Sequence, residues 1–396
     1  METNLANQFL AKRTNGIRSS VIREILKITV KDSEFLSFAG GLPNPNLLDE
    51  NLLLKATEAT IRSYSRVAFQ YGDSAGYESL RKRIQHEFLD FPVHSHSIFI
   101  THGSQQGLDL LGKLFLDENT NLLLEDPVYL GALQAFSPYR PNMIPLPMES
   151  DGPNLLELEK ILSEEKIHCF YTNPSYQNPS TITWSLEKRK LVASLLDQYG
   201  VIIFEDEAYK YLDFNGVVYP SISSFRERID LTFVLGSFSK IISPGFRLGW
   251  VVVPELYQKI FTNAKQGNDL NTNQFSQVVM DLLLSSLDWK EHLSKIQSYY
   301  AKQKEHLVDL LKFHLPEVRF EEPKGGMFLW TEYPNVTEKD MMEGIMDKKV
   351  VMVPGNEFRL VGKDSAFFRM NYSFLPSLEM EEGVKRIVSV YRDIIT

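Results

Sequence analysis

Residues 232–250 read TFVLGSFSKIISPGFRLGW. An apolar run, Phe233 to Leu235, breaks off in Gly-Ser-Phe-Ser, and Lys240 follows. Seven residues later comes Arg247, reached through Ser243-Pro244-Gly245, and a second apolar run, Leu248 to Val253, starts at once. Short apolar runs bounded by turn residues read as buried strands. Charges are rarely buried unpaired, so a lysine and an arginine between two such strands need a partner. The stretch calls for an anion, a carbonyl or both at the edge of a sheet.

Seven runs of this kind recur along the chain: SIFITHG (97–103), NLLLEDP (121–127), MIPLPM (143–148), HCFYTNP (168–174), VIIFEDE (201–207), TFVLGS (232–237) and RLGWVVVP (247–254). Helical spacing lies between several of them. It sets Leu108, Leu111 and Phe115 on one face of 104–115, and Leu186, Leu191 and Leu195 on one face of 185–199. Alternating strands and helices predict an α/β fold with a mostly parallel sheet covered on both sides. After about residue 285 the texture changes. A long amphipathic stretch, 286–312, precedes two strand-like runs, KGGMFLW (324–330) and SAFFRMNYS (365–373), which predict a smaller α+β unit. SSVIREILKIT (19–29) carries Val21, Ile22, Ile25 and Leu26 on one helical face, ended by SFAGGLPNP (37–45).

The composition narrows the function classes. A formal charge of −9 over 396 residues leaves no basic excess to neutralise nucleic-acid phosphates or an acidic membrane. Cys169 is the one cysteine, so no intrachain disulfide forms, and it reads as a small buried hydrophobe. No apolar stretch approaches the ~18–20 residues of a membrane span, and no apolar signal region opens the chain, so a cytoplasmic location is expected. His94 and His96 alternate in HSH without a supporting carboxylate or cysteine pattern, which reads as a solvated loop and gives no metal site. There is no GxGxxG, no Walker-type loop and no GxSxG.

The chemistry gathers where strands end. FITHGSQQGL puts Gly103, Ser104 and Gln105 at a strand-to-helix turn, where unpaired N–H groups and the helix dipole favour an anion. FYTNPSYQNPS ends in two Asn-Pro steps at Asn173 and Asn178, and VIIFEDEAYKYL ends in Glu205, Asp206 and Glu207 with Tyr209 close by. Alternation along the strand lets only one of the three carboxylates point inward. In open α/β sheets ligands bind outside the carboxyl ends of the strands. An anion-binding turn, an arginine, a lysine, a carboxylate and an asparagine together suit a cofactor with a phosphate, an aldehyde, a phenolic oxygen and a basic ring nitrogen. Pyridoxal 5′-phosphate (PLP) has all four, with the lysine forming a Schiff base and the aspartate keeping the pyridine nitrogen protonated.

FAGGLPNP, YGDSAGYESLR, GSQQGLDL, EDPVYLGA, NPSYQNPS, EDEAYKYL, SFSKIISPGFRLGW, KGGMFLW and FFRMNYS spread from residue 38 to residue 373. In this order they resemble the fold type I, PLP-dependent aminotransferases of class I/II, and within them the 2-aminoadipate/kynurenine/aromatic branch. The resemblance implies a large PLP-binding domain (45–285) and a smaller C-terminal domain (286–396), with an N-terminal helix or lid segment (1–44) joining the latter. It implies Lys240 as Schiff-base lysine and proton carrier, with Ser237, Ser239, Arg247, Gly103, Ser104 and Gln105 around the phosphate. Asp206 falls at the ring nitrogen, Tyr209 and Asn178 at the phenolic oxygen, and Tyr129 over the ring. Arg369 matches the clamp of the substrate α-carboxylate, with Gly41 on the substrate side. Tyr71 resembles a tyrosine that reaches the neighbouring subunit's phosphate, which implies a homodimer. Arg23 sits where some 2-aminoadipate enzymes bind a distal carboxylate, on a segment placed to act as a lid.

Two departures stand out. Asn178-Pro179-Ser180-Thr181 replaces the more frequent Asn-Pro-Thr-Gly, which suggests a different turn after the asparagine, and EDEAY replaces EDDPY. The expected activity is transfer of an amino group from an L-amino acid to a 2-oxo acid such as 2-oxoglutarate. A PLP-dependent β-lyase on the same fold is the alternative, since the same lysine serves either outcome. An aminotransferase-like transcriptional regulator is disfavoured by the acidic charge and by GGLPNP starting at residue 40, which leaves no room for a DNA-binding domain ahead of it.

Overall fold

The computed structural model describes residues 9–17, 32–362 and 366–396. All seven apolar runs are strands of one sheet: β1 (Ile98–Thr101), β2 (Asn121–Asp126), β3 (Asn142–Glu149), β4 (Cys169–Thr172), β5 (Ile202–Asp206), β6 (Thr232–Ser237) and β7 (Gly249–Val252). Their order across the sheet is β1-β7-β6-β5-β4-β2-β3, and a two-residue strand, Gly152–Pro153, extends the β3 edge. β3, β2, β4, β5 and β6 run parallel, whereas β7 is antiparallel to both its neighbours. Leu122, Leu123 and Leu124 are consecutive and all fully buried, the mark of a strand covered on both faces. The expectation of an α/β fold with a mostly parallel sheet holds, with an eighth, minimal strand added to the seven.

Helix Ser104–Phe115 turns Leu108 and Leu111 into the core, as its spacing predicts, with Phe115 packed partly buried against the same cluster. Helix Leu186–Tyr199 starts at Ser185, whose hydroxyl accepts from the Lys188 N–H, and stops at Gly200 in the left-handed conformation. Its inward face corrects the sequence reading. Leu186 and Leu191 are exposed, and Lys188, Arg189, Val192, Ala193 and Leu196 are buried. Arg189 donates to the carbonyls of Pro174, Trp184 and Pro220 and to the Ser175 hydroxyl, and Lys188 pairs with Glu149 and Asp151. Two charges satisfied by neighbouring loops therefore occupy positions that a hydrophobic pattern assigns to the surface.

The C-terminal part has its own three-stranded antiparallel sheet. Phe328–Tyr333 pairs with Ala366–Asn371, setting Trp330 opposite Arg369, and Val353–Pro354 adds the third strand. The 26-residue helix Trp289–His314 and the closing helix Ser377–Ile395 pack on each other. Leu36–Ser37 pairs in parallel with Val350–Val351, so the segment that precedes the large sheet is stitched to the C-terminal part. Among the described residues no helix is long and apolar enough to cross a membrane. The helix expected over 19–29 falls outside the described residues.

Candidate active site

Sheet register places the functional groups at one edge. β5 ends in Asp206 and β6 in Ser237, while Tyr129 follows the end of β2 and Asn173 the end of β4. The antiparallel β7 enters the sheet at this same edge, because Gly249 lies opposite Ser237 on one side and opposite Thr101 on the other. Arg247, two residues ahead of Gly249, thus arrives beside Gly103 and Ser104, which follow β1. This crowding needs glycine. A Cβ on Gly249 would come within 2.8 Å of the Ser104 nitrogen, and Gly103 has φ +71° with the Arg247 guanidinium 3.0 Å from where its Cβ would sit.

A cavity of about 380 Å3 opens at this edge, lined by the Gly103–Gln105 turn, Tyr129, Asp206, Tyr209, the Ser237–Lys240 turn, Arg247 and Gly41. The Gly103–Gln105 turn begins a helix, so its first N–H groups have no partner within the helix. The Ser237 hydroxyl accepts from the Ser239 N–H at 3.1 Å. Together with Arg247 they form a cup suited to an anion.

Lys240 reaches into the cavity, and its Nζ donates to the Gly41 carbonyl at 2.7 Å. Burial, then the positive charges of Arg369 and Arg247, push its amine down to about 8, with Asp206 pulling the other way. Asp206 is pushed up to about 6 by burial, against the Tyr171 hydroxyl at 3.1 Å, the Ala208 N–H at 3.3 Å and the Lys240 charge. No cation lies within ion-pair distance of Asp206 among the described residues, so its carboxylate is short of a positive partner. Glu205 and Glu207 point elsewhere. Glu205 accepts from the N–H groups of Ile222 and Ser223, and Glu207 sits 3.7 Å from Lys210 and 3.8 Å from Arg189.

Asn178 and Arg369 stand beside the cavity and join it through Tyr209. The Asn178 amide donates to the Tyr209 hydroxyl at 3.3 Å and accepts from Arg369 Nη1 at 2.8 Å. Arg369 Nη2 donates to the Ala39 carbonyl at 2.5 Å, and its buried Nε has no hydrogen-bond partner among the described residues. The guanidinium lies 4.2 Å from the Phe328 ring centroid and 5.2 Å from that of Phe358, and burial pushes it down to about 10. A buried arginine that meets neutral acceptors alone among the described residues, with N–H donors left over, is suited to receive a carboxylate.

Tyr71 is outside this constellation, 79% exposed on the surface of the chain. Arg23 lies outside the described residues. The sequence reading did not single out Tyr171, which donates to Asp206, nor Gln134 and Leu42, which line the cavity. Tyr171 reads as one more core aromatic within HCFYT, and its role depends on the pairing of β4 with β5 that sequence alone does not give. Gln134 lies inside an apolar helix, Leu130–Phe136, with no local signal to set it apart.

The model of the family described as aminotransferase class I and II matches residues 43–387. The chain belongs to that family. A 2-aminoadipate transaminase of Thermus thermophilus is 36% identical over 96% of this chain and 96% of its own length. An aromatic-amino-acid aminotransferase of Thermococcus litoralis is 33% identical over 98% and 94%. Among solved structures, the α-aminoadipate aminotransferase of Thermus thermophilus in complex with N-(5′-phosphopyridoxyl)-L-leucine superposes with a TM-score of 0.92 at 33% identity, covering 98% of both chains. The fold type I architecture and the transaminase class read from the motifs therefore stand for this aminotransferase.

Proposed function

We propose that this cavity holds PLP and that the enzyme moves the amino group of an L-amino acid, of the 2-aminoadipate, aromatic or glutamate kind, onto a 2-oxo acid such as 2-oxoglutarate. The observation that carries the reading is the placement of Lys240 between a carboxylate short of a cation, Asp206, and two arginines with anion-binding capacity left, Arg247 and Arg369. The donor set fits the cofactor. The Gly103–Gln105 turn, Ser237, Ser239 and Arg247 would hold its phosphate, Asp206 its ring nitrogen, and Tyr209 with Asn178 its phenolic oxygen, while Tyr129 covers the ring. When bound, the cofactor supplies an electron sink that makes the substrate Cα–H bond acidic.

The protein's own groups do the rest. Arg369 grips the substrate carboxylate and Asn178 fixes the angle of that grip, because one amide touches both Arg369 and Tyr209. Lys240, an amine poised near neutral pH, takes the proton from Cα and returns it at the other end of the reacting system. Gly41 forms the facing wall, and its carbonyl holds the Lys240 ammonium in the cavity.

Several further assignments belong to this reading. The chain divides at 1–44, 45–285 and 286–396 into a lid-bearing segment, the cofactor domain and the small domain. It works as a homodimer in the cytoplasm, Tyr71 reaching the partner's phosphate site. Exposed Leu54, Ile61, Val67 and Phe69 lie on the same segment as Tyr71 and support an apolar interface there. Arg23 contacts the distal carboxylate of acidic donors.

The test is a half-reaction cycle. Protein loaded with PLP is mixed with 2-aminoadipate or glutamate and then with an unrelated 2-oxo acid. Bleaching of the visible absorbance by the donor and its return with the oxo acid is the expected result. Absorbance that forms and never cycles would shift the reaction to elimination, the β-lyase outcome.

A further inference from the structure

Asn178 lies between two non-glycine residues in the left-handed region, Tyr176 at φ +50° and Thr181. Thr181 has φ +66°, a region that β-branched residues rarely adopt. The bonds that keep it there converge on Gln177. Its carbonyl accepts from the Thr181 N–H at 2.7 Å, and its N–H donates to the Ile182 carbonyl at 3.0 Å. Its side-chain oxygen accepts from both the N–H and the hydroxyl of Ser180, at 2.8 and 2.6 Å. Its amide nitrogen donates to the Glu125 carboxyl at 2.9 Å and to the Pro127 carbonyl at 2.6 Å. Gln177 is fully buried, and the four bonds use all that its amide offers.

Two features of the site hang from this one amide. On one side is the Pro127–Val128–Tyr129 turn, which delivers Tyr129 to the cavity. On the other is the Gln177–Thr181 turn, which delivers Asn178 to Tyr209 and Arg369. Glu125, itself fully buried and receiving the Thr172 hydroxyl at 2.6 Å, fixes which way the amide faces. With its nitrogen committed to Glu125 and Pro127, Gln177 must turn its oxygen to Ser180.

We propose that Gln177, oriented by Glu125, is a positioning residue that holds Thr181 in its left-handed conformation and thereby sets the aim of Asn178 toward the cofactor's phenolic oxygen and Arg369. This rests on the PLP reading above. A glycine at 181 adopts the same backbone without strain, so it removes the need for the clamp on the Asn178 side. The dependence of the site on Gln177 is conditional on residue 181, a property that a merely structural glutamine lacks.

The test compares Gln177→Met, Thr181→Gly and the double variant, all loaded with PLP. Three readouts are taken: KM and kcat for the amino donor, the pH midpoint of the visible absorbance, and the melting temperature with and without cofactor. Gln177→Met is expected to raise the donor KM about tenfold, the scale of losing a buried hydrogen-bond contact, and to shift the absorbance midpoint upward as Asn178 leaves the phenolic oxygen. Thr181→Gly alone should keep KM within about twofold, because it leaves every Gln177 bond in place and removes only the strain. The double variant should recover both KM and midpoint toward the parent values.

A Gln177→Met protein that melts lower with KM and midpoint unmoved overturns the proposal, as does failure of Thr181→Gly to rescue. Should Gln177→Met not fold, Ser180→Ala removes one of the two bonds to the Gln177 oxygen. It is expected to move the same readouts in the same direction by about twofold, again reversed by Thr181→Gly. The PLP reading fails separately, by absence of visible absorbance or donor response in the parent protein.

Discussion

The pH response of Lys240 in the cofactor-free protein follows directly from the geometry. With its amine at about 8 instead of 10.5, about one-tenth is unprotonated at pH 7, against roughly one part in three thousand for an ordinary lysine, a gain of ~300-fold. The sign for stability is equally fixed. A lysine whose folded value lies below its unfolded one binds fewer protons when folded. Folding stability therefore gains as pH rises from about 8 toward 10.5, by on the order of 3 kcal/mol in total, and lacks that gain below pH 8. The assay is trace labelling with acetic anhydride, read by mass spectrometry of the Lys240 peptide against that of the exposed Lys339. Lys240 labelling should rise about tenfold between pH 7 and pH 9 and then level, whereas an unshifted lysine rises about a hundredfold over the same interval and keeps rising. Arg247→Ala should move the midpoint up, since it removes a like charge, and Asp206→Asn should move it down. A log-linear rise through pH 10, or shifts of the wrong sign, would refute the account of why this lysine is reactive.

Asp206→Ala should still take up PLP but lose kcat by at least about a hundredfold, the scale of removing a preorganised electrostatic partner; near-normal kcat moves the ring-nitrogen role elsewhere. Arg369→Lys keeps the charge and loses the two-pronged grip, so the donor KM should rise about tenfold or more while the absorbance of bound PLP remains; an unchanged KM places the carboxylate clamp on another residue. Arg23→Ala is expected to impair 2-aminoadipate and glutamate more than aromatic donors, measured as the ratio of their kcat/KM values, and equal losses make Arg23 structural.

Much of the fold was legible because each central strand is short, apolar and closed by a polar turn, as in NLLLEDP and VIIFEDE. Their burial on both faces removes the ambiguity of an alternating pattern. The direction of β7 was not legible, and it matters. Only the antiparallel run brings Arg247, at the start of its strand, to the edge where the other strands end. The inward face of the helix 186–199 differs from its hydrophobic pattern for another reason: Lys188 and Arg189 are satisfied by carbonyls and carboxylates that lie outside the helix, and no periodicity reports those. At the site, Lys240, Asp206 and Arg369 stood out in the sequence, since each is a charge in or beside an apolar run. Tyr171 and Gln177 did not. Each acts through a partner more than thirty residues away, and each looks locally like core or loop.

The charge balance of the site explains why its parts belong together. Lys240, Arg247 and Arg369 face one carboxylate, Asp206, inside a chain whose formal charge is −9. Arg247 is exposed, and the cost of the local excess of cation shows at the two groups shielded from water, the Lys240 amine held at about 8 and the Arg369 guanidinium at about 10. Among the described residues neither arginine pairs with a carboxylate: Arg369 meets two neutral oxygens, and Arg247 donates to the Pro244 carbonyl at 3.5 Å. An anion arriving at either one offsets a repulsion on Lys240 and so favours its protonated form. On the proposed function, a substrate carboxylate at Arg369 would therefore raise the proton affinity of the amine assigned to accept the Cα proton, at the moment that proton becomes available. Binding and base strength are thus coupled through a single charge, which is why replacing Arg369 should alter both donor affinity and the pH profile of turnover, and not affinity alone.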